Sequence, residues 1–294
     1  MAKKILIITP RFPLPAAGAC EQERLSGIKQ LRRLGFDVRV IAKIFDFQDR
    51  ADIDRFSRDH GIPVDLMPYD SSVRQGLAGA LLFYLRRIMN PFHWDGAAYE
   101  YAHRETRRVV ERITDTWKPD IAWFDYTYLW PLYPIFRQRK IPIVTRSINF
   151  EPTHFLQEDG CTPINIVKFF QKLLSEWIVR YKSAIIFAIT PREAAAYQRL
   201  GARTVKNLPL RSLSVCLTGA EHPVRTGGSL NIFFAGSTYT VFHNRQTLDF
   251  ILREIIPVLE QRKPGKFVFH FTGKKLPNDL RSCLSDRVIY HGFV

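Results

Sequence analysis

Five consecutive residues near the start of the chain, Ile5-Leu-Ile-Ile-Thr9, are apolar or β-branched with no charged residue among them. A strand with one wet face alternates apolar and polar side chains, so an unbroken run implies a strand covered on both faces. Such strands belong to parallel sheets sandwiched between helices. The following segments fit that architecture. A loop rich in Pro, Ala and Gly runs to Gly18, and residues 21–34 carry Leu25, Ile28, Leu31 and Leu34 at three-residue steps, with Gly35 as the stop. Asp37-Val-Arg-Val-Ile-Ala42 reads as the second strand and completes a βαβ unit.

The alternation continues. Residues 64–67, 120–125, 142–145, 183–190 and 204–206 read as strands. Residues 73–89 and 97–117 read as helices separated by Asn90-Pro91, residues 165–182 as a long helix, and Pro191 as the start of a short one. Residues 211–229, rich in Ser, Thr and Gly, have the composition of a linker. A second cycle follows: strand 230–235, a turn at Gly236-Ser237, helix 246–260, strand 266–272 ending at Gly273, and strand 287–291 ending at Gly292. The expected organisation is α/β, with a Rossmann-like doubly wound domain over 1–212, a linker over 213–229 and a partial second domain over 230–294. Three strands fall short of the usual five or six, so the second domain is expected to be truncated.

Composition narrows the function classes. At 46% hydrophobic and 24% charged residues, the chain is neither disordered nor fibrous. Its longest apolar run, residues 77–85, is far short of the ~20 residues of a spanning helix. The apolar N-terminal stretch is too short for a signal peptide and is ended by Pro10-Arg11. The four cysteines lie far apart with no CxxC pair and read as reduced thiols, which points to a cytoplasmic protein. The formal net charge of +15 favours a polyanionic partner, such as a phosphorylated small molecule or an anionic membrane surface, over a surface kept basic for solubility. Nucleic acid ranks last, because no basic helix, zinc finger or aromatic–basic repeat accompanies the charge.

Several positions carry candidate chemistry. Gly18 and Gly236-Ser237 each lie between a strand and a helix N-terminus, where backbone amides and the helix dipole favour a phosphate. Gly273-Lys274-Lys275 ends a strand with two cations. Arg146, Asn149 and Glu151 follow the strand ending at Thr145, and ligands of open α/β sheets bind at carboxyl strand ends. Each of these also has a plain reading as a turn, a cap or a solvated loop. Asp52-Ile-Asp54 imitates a metal-binding Asp-x-Asp but reads as the first turn of a helix, and no metal is expected. Residues 77–89, with Arg74, Arg86, Arg87 and Pro91-Phe-His-Trp94 around them, suit a helix lying in a membrane interface, or a core helix with a basic end.

Four segments together resemble the family 4 type of retaining glycosyltransferases with the GT-B fold. They are Pro13-x-Pro15-x-x-Gly18, Arg146-Ser-Ile-Asn149-Phe-Glu151, the long helix bearing Glu176 followed by Ala188-Ile-Thr190-Pro-Arg-Glu193, and Phe234-Ala-Gly236-Ser237 with Asn244, Pro257, Gly273 and Gly292-Phe-Val294. The resemblance implies two Rossmann-like domains facing across a cleft, the first mainly for the acceptor and the second for a nucleotide-diphosphate sugar, with no other cofactor. It implies Arg146, Asn149 and Glu151 as catalytic residues, and Gly18, Gly236, Ser237, Asn244, Gly273 and Lys274 as donor or phosphate contacts. It implies an acceptor that is a cell-envelope or lipid-linked glycan, and a place in the cytoplasm, peripheral at the inner membrane face. The chain departs from the family where Ile148 stands in place of a frequent His, with His154 nearby, and where the turn after Gly236 lacks the usual Arg and Lys and offers His243, Asn244 and Arg245. The family's Glu-x7-Glu region would fall beyond Val294. A catalytically impaired sugar- or nucleotide-binding relic is the main alternative, and a sugar-nucleotide epimerase a minor one.

Overall fold

The computed structural model describes residues 2–69, 76–89, 95–213 and 230–293. They divide into two compact units, residues 1–154 with 162–218, and residues 155–161 with 219–294. The expected linker, residues 214–229 in particular, lies outside the described residues, as do Arg74 and residues 90–94.

The first unit is built on seven parallel strands: β1 (Lys4–Arg11), β2 (Asp37–Ile44), β3 (Val64–Pro68), β4 (Ile121–Phe124), β5 (Ile143–Ser147), β6 (Ile185–Ala188) and β7 (Val205–Asn207). Their spatial order is β3-β2-β1-β4-β5-β6-β7, so the winding reverses between β1 and β4. β1 pairs with β2 through Ile5↔Val38 and Ile7↔Val40, and with β4 through Ile5↔Ile121 and Ile7↔Trp123. The unbroken apolar run now has its reason. Ile5 and Ile7 point into one core with Val38, Val40, Ile28 and Phe56, while Leu6 and Ile8 point into the other with Phe124, Tyr133, Phe136 and Val179. Each buried side chain of this size contributes about 2 kcal/mol, which only helices on both faces can secure.

The helices of this unit are α1 (Ala19–Arg33), α2 (Arg50–His60), α3 (Gly76–Met89), α4 (Gly96–Tyr101), α5 (Arg104–Trp117), α6 (Tyr133–Gln138), α7 (Glu151–Asp159, which runs into the second unit), α8 (Pro163–Lys182) and α9 (Pro191–Arg199), with a 3-10 segment at Thr127–Leu132 and another at Arg211–Leu213. Asp52 and Asp54 lie on α2, where they pair with Arg55 at 3.4 Å and Arg50 at 3.9 Å. The expected helix 97–117 is two helices. His103 takes an extended backbone as the N-cap of α5, and α4 turns Tyr99, Glu100 and Tyr101 inward, where the Tyr101 hydroxyl donates to the Pro10 carbonyl at 2.7 Å and Glu100 pairs with buried Lys43. Tertiary partners override helical continuity at that point.

The second unit has a parallel sheet of order β10-β9-β8, from β8 (Leu230–Thr238), β9 (Phe267–Lys274) and β10 (Val288–Tyr290). Its core gathers Phe267, Phe269 and Phe271 with Leu248, Leu252 and Ile256 from the crossover helix, and Leu280 from the short α12 (Asn278–Arg281). That crossover was expected as one helix. It is α10 (Phe242–Phe250), a π turn at Ile251–Ile255, then α11 (Ile256–Arg262), with Pro257 in the first turn of α11. A proline lacks the N–H of a regular turn and crowds the preceding carbonyls, and a widened turn just before it relieves both.

Candidate functional site

At the carboxyl end of the first sheet, beside the reversal between β1 and β4, lies a nest of buried charges. Arg146, from β5, has no exposed surface. Its guanidinium donates to Glu23 Oε1 at 2.9 Å and to the carbonyls of Leu208 and Pro209. Glu23, on α1 and also fully buried, accepts a second, bidentate arginine: Arg211 Nε and Nη2, each at 2.8 Å. Burial alone would raise the Glu23 pKa, but the hydrogen bonds and charges of Arg211 and Arg146 outweigh it and hold the carboxyl below its ordinary value. Arg211 also stands 5.4 Å from the centre of the Trp123 ring, and a Cβ on Gly27 would fall within its guanidinium.

Next to this triad, Arg24 is 2% exposed and donates to Thr9 Oγ1 at 2.9 Å and to the Arg11 carbonyl at 3.0 Å. Asp125, just past β4, accepts from Trp123 Nε1 at 2.9 Å through one oxygen, while its other oxygen, Oδ2, is buried without a hydrogen-bond partner. Burial raises its pKa, opposed by Arg211 and Arg24. A carboxyl oxygen left in this way accepts whatever donor reaches it.

The segment after β5 is tied down at nearly every residue. Ser147 Oγ donates to the Asn149 carbonyl at 2.8 Å, and the Phe150 amide donates to Glu193 Oε1 at 3.2 Å. Glu193 in turn closes a capping box with Thr190 at the start of α9. Glu151 pairs with Lys172 of α8 at 3.4 Å, and burial raises its pKa against the pull of that lysine. Glu176 of α8, wholly buried, accepts from Thr127 Oγ1 at 2.9 Å and lies 2.6 Å from the Tyr197 hydroxyl. Burial first, and then the charge of Glu151, lifts its pKa to about 8 against the hydrogen bonds it receives.

The structure therefore brings Arg146, Asn149 and Glu151 together in one braced segment but differentiates them. Asn149 and Glu151 are half-buried, whereas the guanidinium of Arg146 is enclosed. Ile148 is 3% exposed, so this position faces the interior. Gly18 is the N-cap of α1 and supplies no side-chain cap; a Cβ there would meet the Glu21 carboxylate, which bends back over the helix start and pairs with Arg11 and Arg24. The anion expected at this terminus meets a carboxylate already in place.

In the second unit Gly236, Ser237, Asn244, Gly273 and Lys274 converge at the carboxyl ends of β8 and β9. Asn244 Nδ2 donates to Ser237 Oγ at 3.2 Å and to the Thr238 carbonyl at 3.1 Å. α10 begins at Val241–Phe242 with no side-chain cap, leaving amides at its N-terminus open to an acceptor. The two glycines have a packing role. A Cβ on Gly236 would collide with the Tyr239 hydroxyl and the Thr272 carbonyl, and one on Gly273 with the Tyr239 ring. The Gly273 amide is donated to the Gly292 carbonyl at 2.7 Å. Lys274 Nζ lies 3.9 Å from the centre of the Phe293 ring.

Sequence reasoning passed over Glu23, Arg24, Asp125, Arg211 and Tyr197. A signal for Arg24 existed: it precedes Ile28 by four residues and Leu31 by seven, and so shares their buried face. Among the described residues, no three His, Cys, Asp or Glu side chains gather as metal ligands.

No protein-family model matches the sequence, and no curated protein matches it. Solved structures do. A putative UDP-N-acetylglucosamine 2-epimerase from Listeria monocytogenes aligns with a TM-score of 0.53 at 13% identity over 100% of this chain and 69% of its own. A glycosyltransferase from Rickettsia africae aligns at 0.52 and 10% identity over 100% and 69%. Arabidopsis thaliana UGT89C1, complexed with UDP-L-rhamnose, aligns at 0.51 and 10% identity over 100% and 70%. At these identities the likeness is one of fold: two Rossmann-like parallel α/β units, shared with GT-B glycosyltransferases and nucleotide-sugar epimerases.

Proposed function

We propose that this chain serves a retaining glycosyl transfer, from a nucleotide-diphosphate sugar to a glycan or lipid-linked acceptor of the cell envelope. The observation that supports this best is the succession of two parallel sheets along one chain. A seven-stranded sheet with its winding reversal is followed by a second parallel sheet that opens on a strand whose last residues include Gly236-Ser237, expected as a turn, then a turn at Tyr239-Thr240 and an uncapped helix. An uncapped helix N-terminus suits a diphosphate. In this reading the amides of α10, Ser237, Asn244 and Lys274 receive the donor's phosphates, and Gly236 and Gly273 shape the turn by admitting Tyr239.

As the bond to the diphosphate breaks, positive charge develops on the sugar carbon and negative charge on the leaving phosphate. The acceptor hydroxyl adds from the side the diphosphate leaves and passes its proton to the departing phosphate oxygen, so the configuration is kept. Stabilising the departing charge is the main demand, and fixed amides and a lysine meet it without reorganisation. Asn149 and Glu151 are the polar groups offered to the substrate, and Arg146 acts as a positioning residue that locks their segment to α1.

The apolar helix α3 supplies the attachment. Leu77, Leu81, Leu85 and Met89 recur every four residues, are 93%, 62%, 49% and 81% exposed, and share the helix with no acidic residue. No helix among the described residues is long and apolar enough to cross a membrane. A cytoplasmic enzyme resting on the inner membrane face accommodates both facts. Titration calorimetry with UDP, dTDP, GDP and ADP tests the core of the reading. One nucleotide is expected to bind, with heat lost in Asn244→Ala, and silence from all four would sink it. Binding without sugar turnover on any donor would identify a relic.

A further inference from the structure

Glu176 lies at the head of a line of hydroxyls. Its Oε1 accepts from Thr127 Oγ1 at 2.9 Å, and its Oε2 is 2.6 Å from the Tyr197 hydroxyl. That hydroxyl is 2.8 Å from Ser147 Oγ, which is 2.8 Å from the Asn149 carbonyl oxygen. Four oxygen–oxygen contacts require four protons. Thr127, Tyr197 and Ser147 supply one each, and a carbonyl has none to give. The chain is complete only if the fourth comes from the carboxyl.

We propose that Glu176 is kept as a neutral acid whose proton completes the line Glu176→Tyr197→Ser147→Asn149 carbonyl, so that losing this proton breaks one of the two links made by Ser147 and loosens residues 147–151. The inference rests on reading that segment as part of the functional site. If the carboxyl ionises, Tyr197 must turn its proton back to it. Ser147 then has one proton for two neighbours, and either its contact with Tyr197 or its bond to Asn149 is lost.

The groups around Glu176 are consistent with a neutral acid. From α7 the Glu151 carboxylate repels a second negative charge, although the Glu151 backbone amide donates to Glu176. From α9, the 3-10 segment and α6 come Tyr197, Thr127 and Tyr133. From its own helix comes Lys172, whose ammonium is 3.4 Å from Glu151. Asp95 and His154 act on Lys172 and Glu151 rather than directly on the chain. Burial completes the case, since the side chain has no exposed surface.

The test uses the whole chain without nucleotide. Infrared difference spectra between wild type and Glu176→Gln isolate the C=O stretch of a protonated carboxyl. Hydrogen exchange of the amides in residues 147–151, corrected for intrinsic rates, is followed from about pH 6 to about pH 10. Wild type is expected to show the acid band at neutral pH and to lose it on titration, with protection of the segment falling about tenfold at the same midpoint. Glu176→Gln, which keeps the shape and carries an N–H donor, is expected to hold its protection throughout. Tyr197→Phe is expected to keep the acid band while its segment is under-protected at every pH. A wild type lacking the band at neutral pH overturns the proposal, as does a Gln variant that loses protection in step with wild type. Should the Gln variant not fold, different midpoints for band and protection in wild type overturn it equally. Nucleotide takes no part in these measurements, so failure here leaves the glycosyl-transfer reading to its own test.

Discussion

Gly27 stands in the middle of α1, where alanine ordinarily stabilises a helix by about 1 kcal/mol. The structure predicts the opposite sign for Gly27→Ala. The new methyl would occupy the space of the Arg211 guanidinium, which must then withdraw from Glu23 and from the face of Trp123. Removing one partner from a buried ion pair costs about 3–5 kcal/mol. Arg146 remains on Glu23 at 2.9 Å, so the lower end applies. Setting a loss of about 3 kcal/mol against a gain of about 1 leaves a net destabilisation of about 2 kcal/mol. For a unit of this size that lowers Tm by roughly 4–8 °C. The control is the same substitution in an Arg211→Ala background. With the guanidinium absent the methyl has room, and alanine should stabilise by about 1 kcal/mol. The readout is a double-mutant cycle by urea unfolding, and its signature is the reversal of sign between backgrounds. Stabilisation in the wild-type background would refute the reasoning, as would an equal loss in both.

Two further expectations follow from space and protons. Gly236→Ala brings a methyl against the backbone carbonyl of Thr272, which cannot swing aside, whereas Gly18→Ala meets only the end of the Glu21 side chain. The first should destabilise by about 3 kcal/mol, the upper end for overpacking, and the second by less than about 1, compared by thermal unfolding. Glu176 has a folded pKa of about 8 against an ordinary 4.5, so the unfolded chain releases this proton first as pH rises. Its contribution is complete below about pH 4.5, falls by about 1.4 kcal/mol per unit towards pH 8 and is gone above that. Glu176→Gln should remove this component of the slope of unfolding free energy against pH, and parallel slopes would count against a neutral acid.

What the sequence made legible was whatever depends on local periodicity. The run at Ile5 to Thr9 identified a strand buried on both faces because each successive side chain needs its own core, and the helix expected over 21–34 was visible from Leu25, Ile28, Leu31 and Leu34 at three-residue steps. Where one residue answers to a distant partner, local signals failed. The helix expected over 97–117 is interrupted because Glu100 and Tyr101 reach Lys43 and the Pro10 carbonyl, more than fifty residues away in sequence. The same distance hid the charges of the site. Glu23 and Arg211 are 188 residues apart, and neither position alone says that its side chain is buried. Arg146, Asn149 and Glu151 were found by their place after a strand, which is a statement about topology; that the first of them is enclosed while the other two are half-open depends on packing against α1.

Charge separates holding an anion from approaching one. At the carboxyl edge of the first sheet, Arg24, Arg146 and Arg211 stand among Glu21, Glu23 and Asp125, so the nest is close to balanced and each guanidinium is held by at least one acceptor, although Arg146 Nε itself has no hydrogen-bond partner. The excess of +15 must therefore sit elsewhere, and exposed arginines such as Arg32, Arg33, Arg104 and Arg108 carry part of it. Charges so placed are screened beyond about 8 Å at physiological salt, while buried pairs are screened far less. Binding to anionic vesicles should accordingly weaken steeply between about 0.05 and about 0.5 M salt, while unfolding free energy of the first unit changes little. Leu81→Asp on α3 should abolish the remaining, salt-resistant part of vesicle flotation, because the apolar face rather than the charge anchors the protein once contact is made. Unfolding that tracked salt as closely as flotation does would show that the nest is not a closed, self-neutralised core.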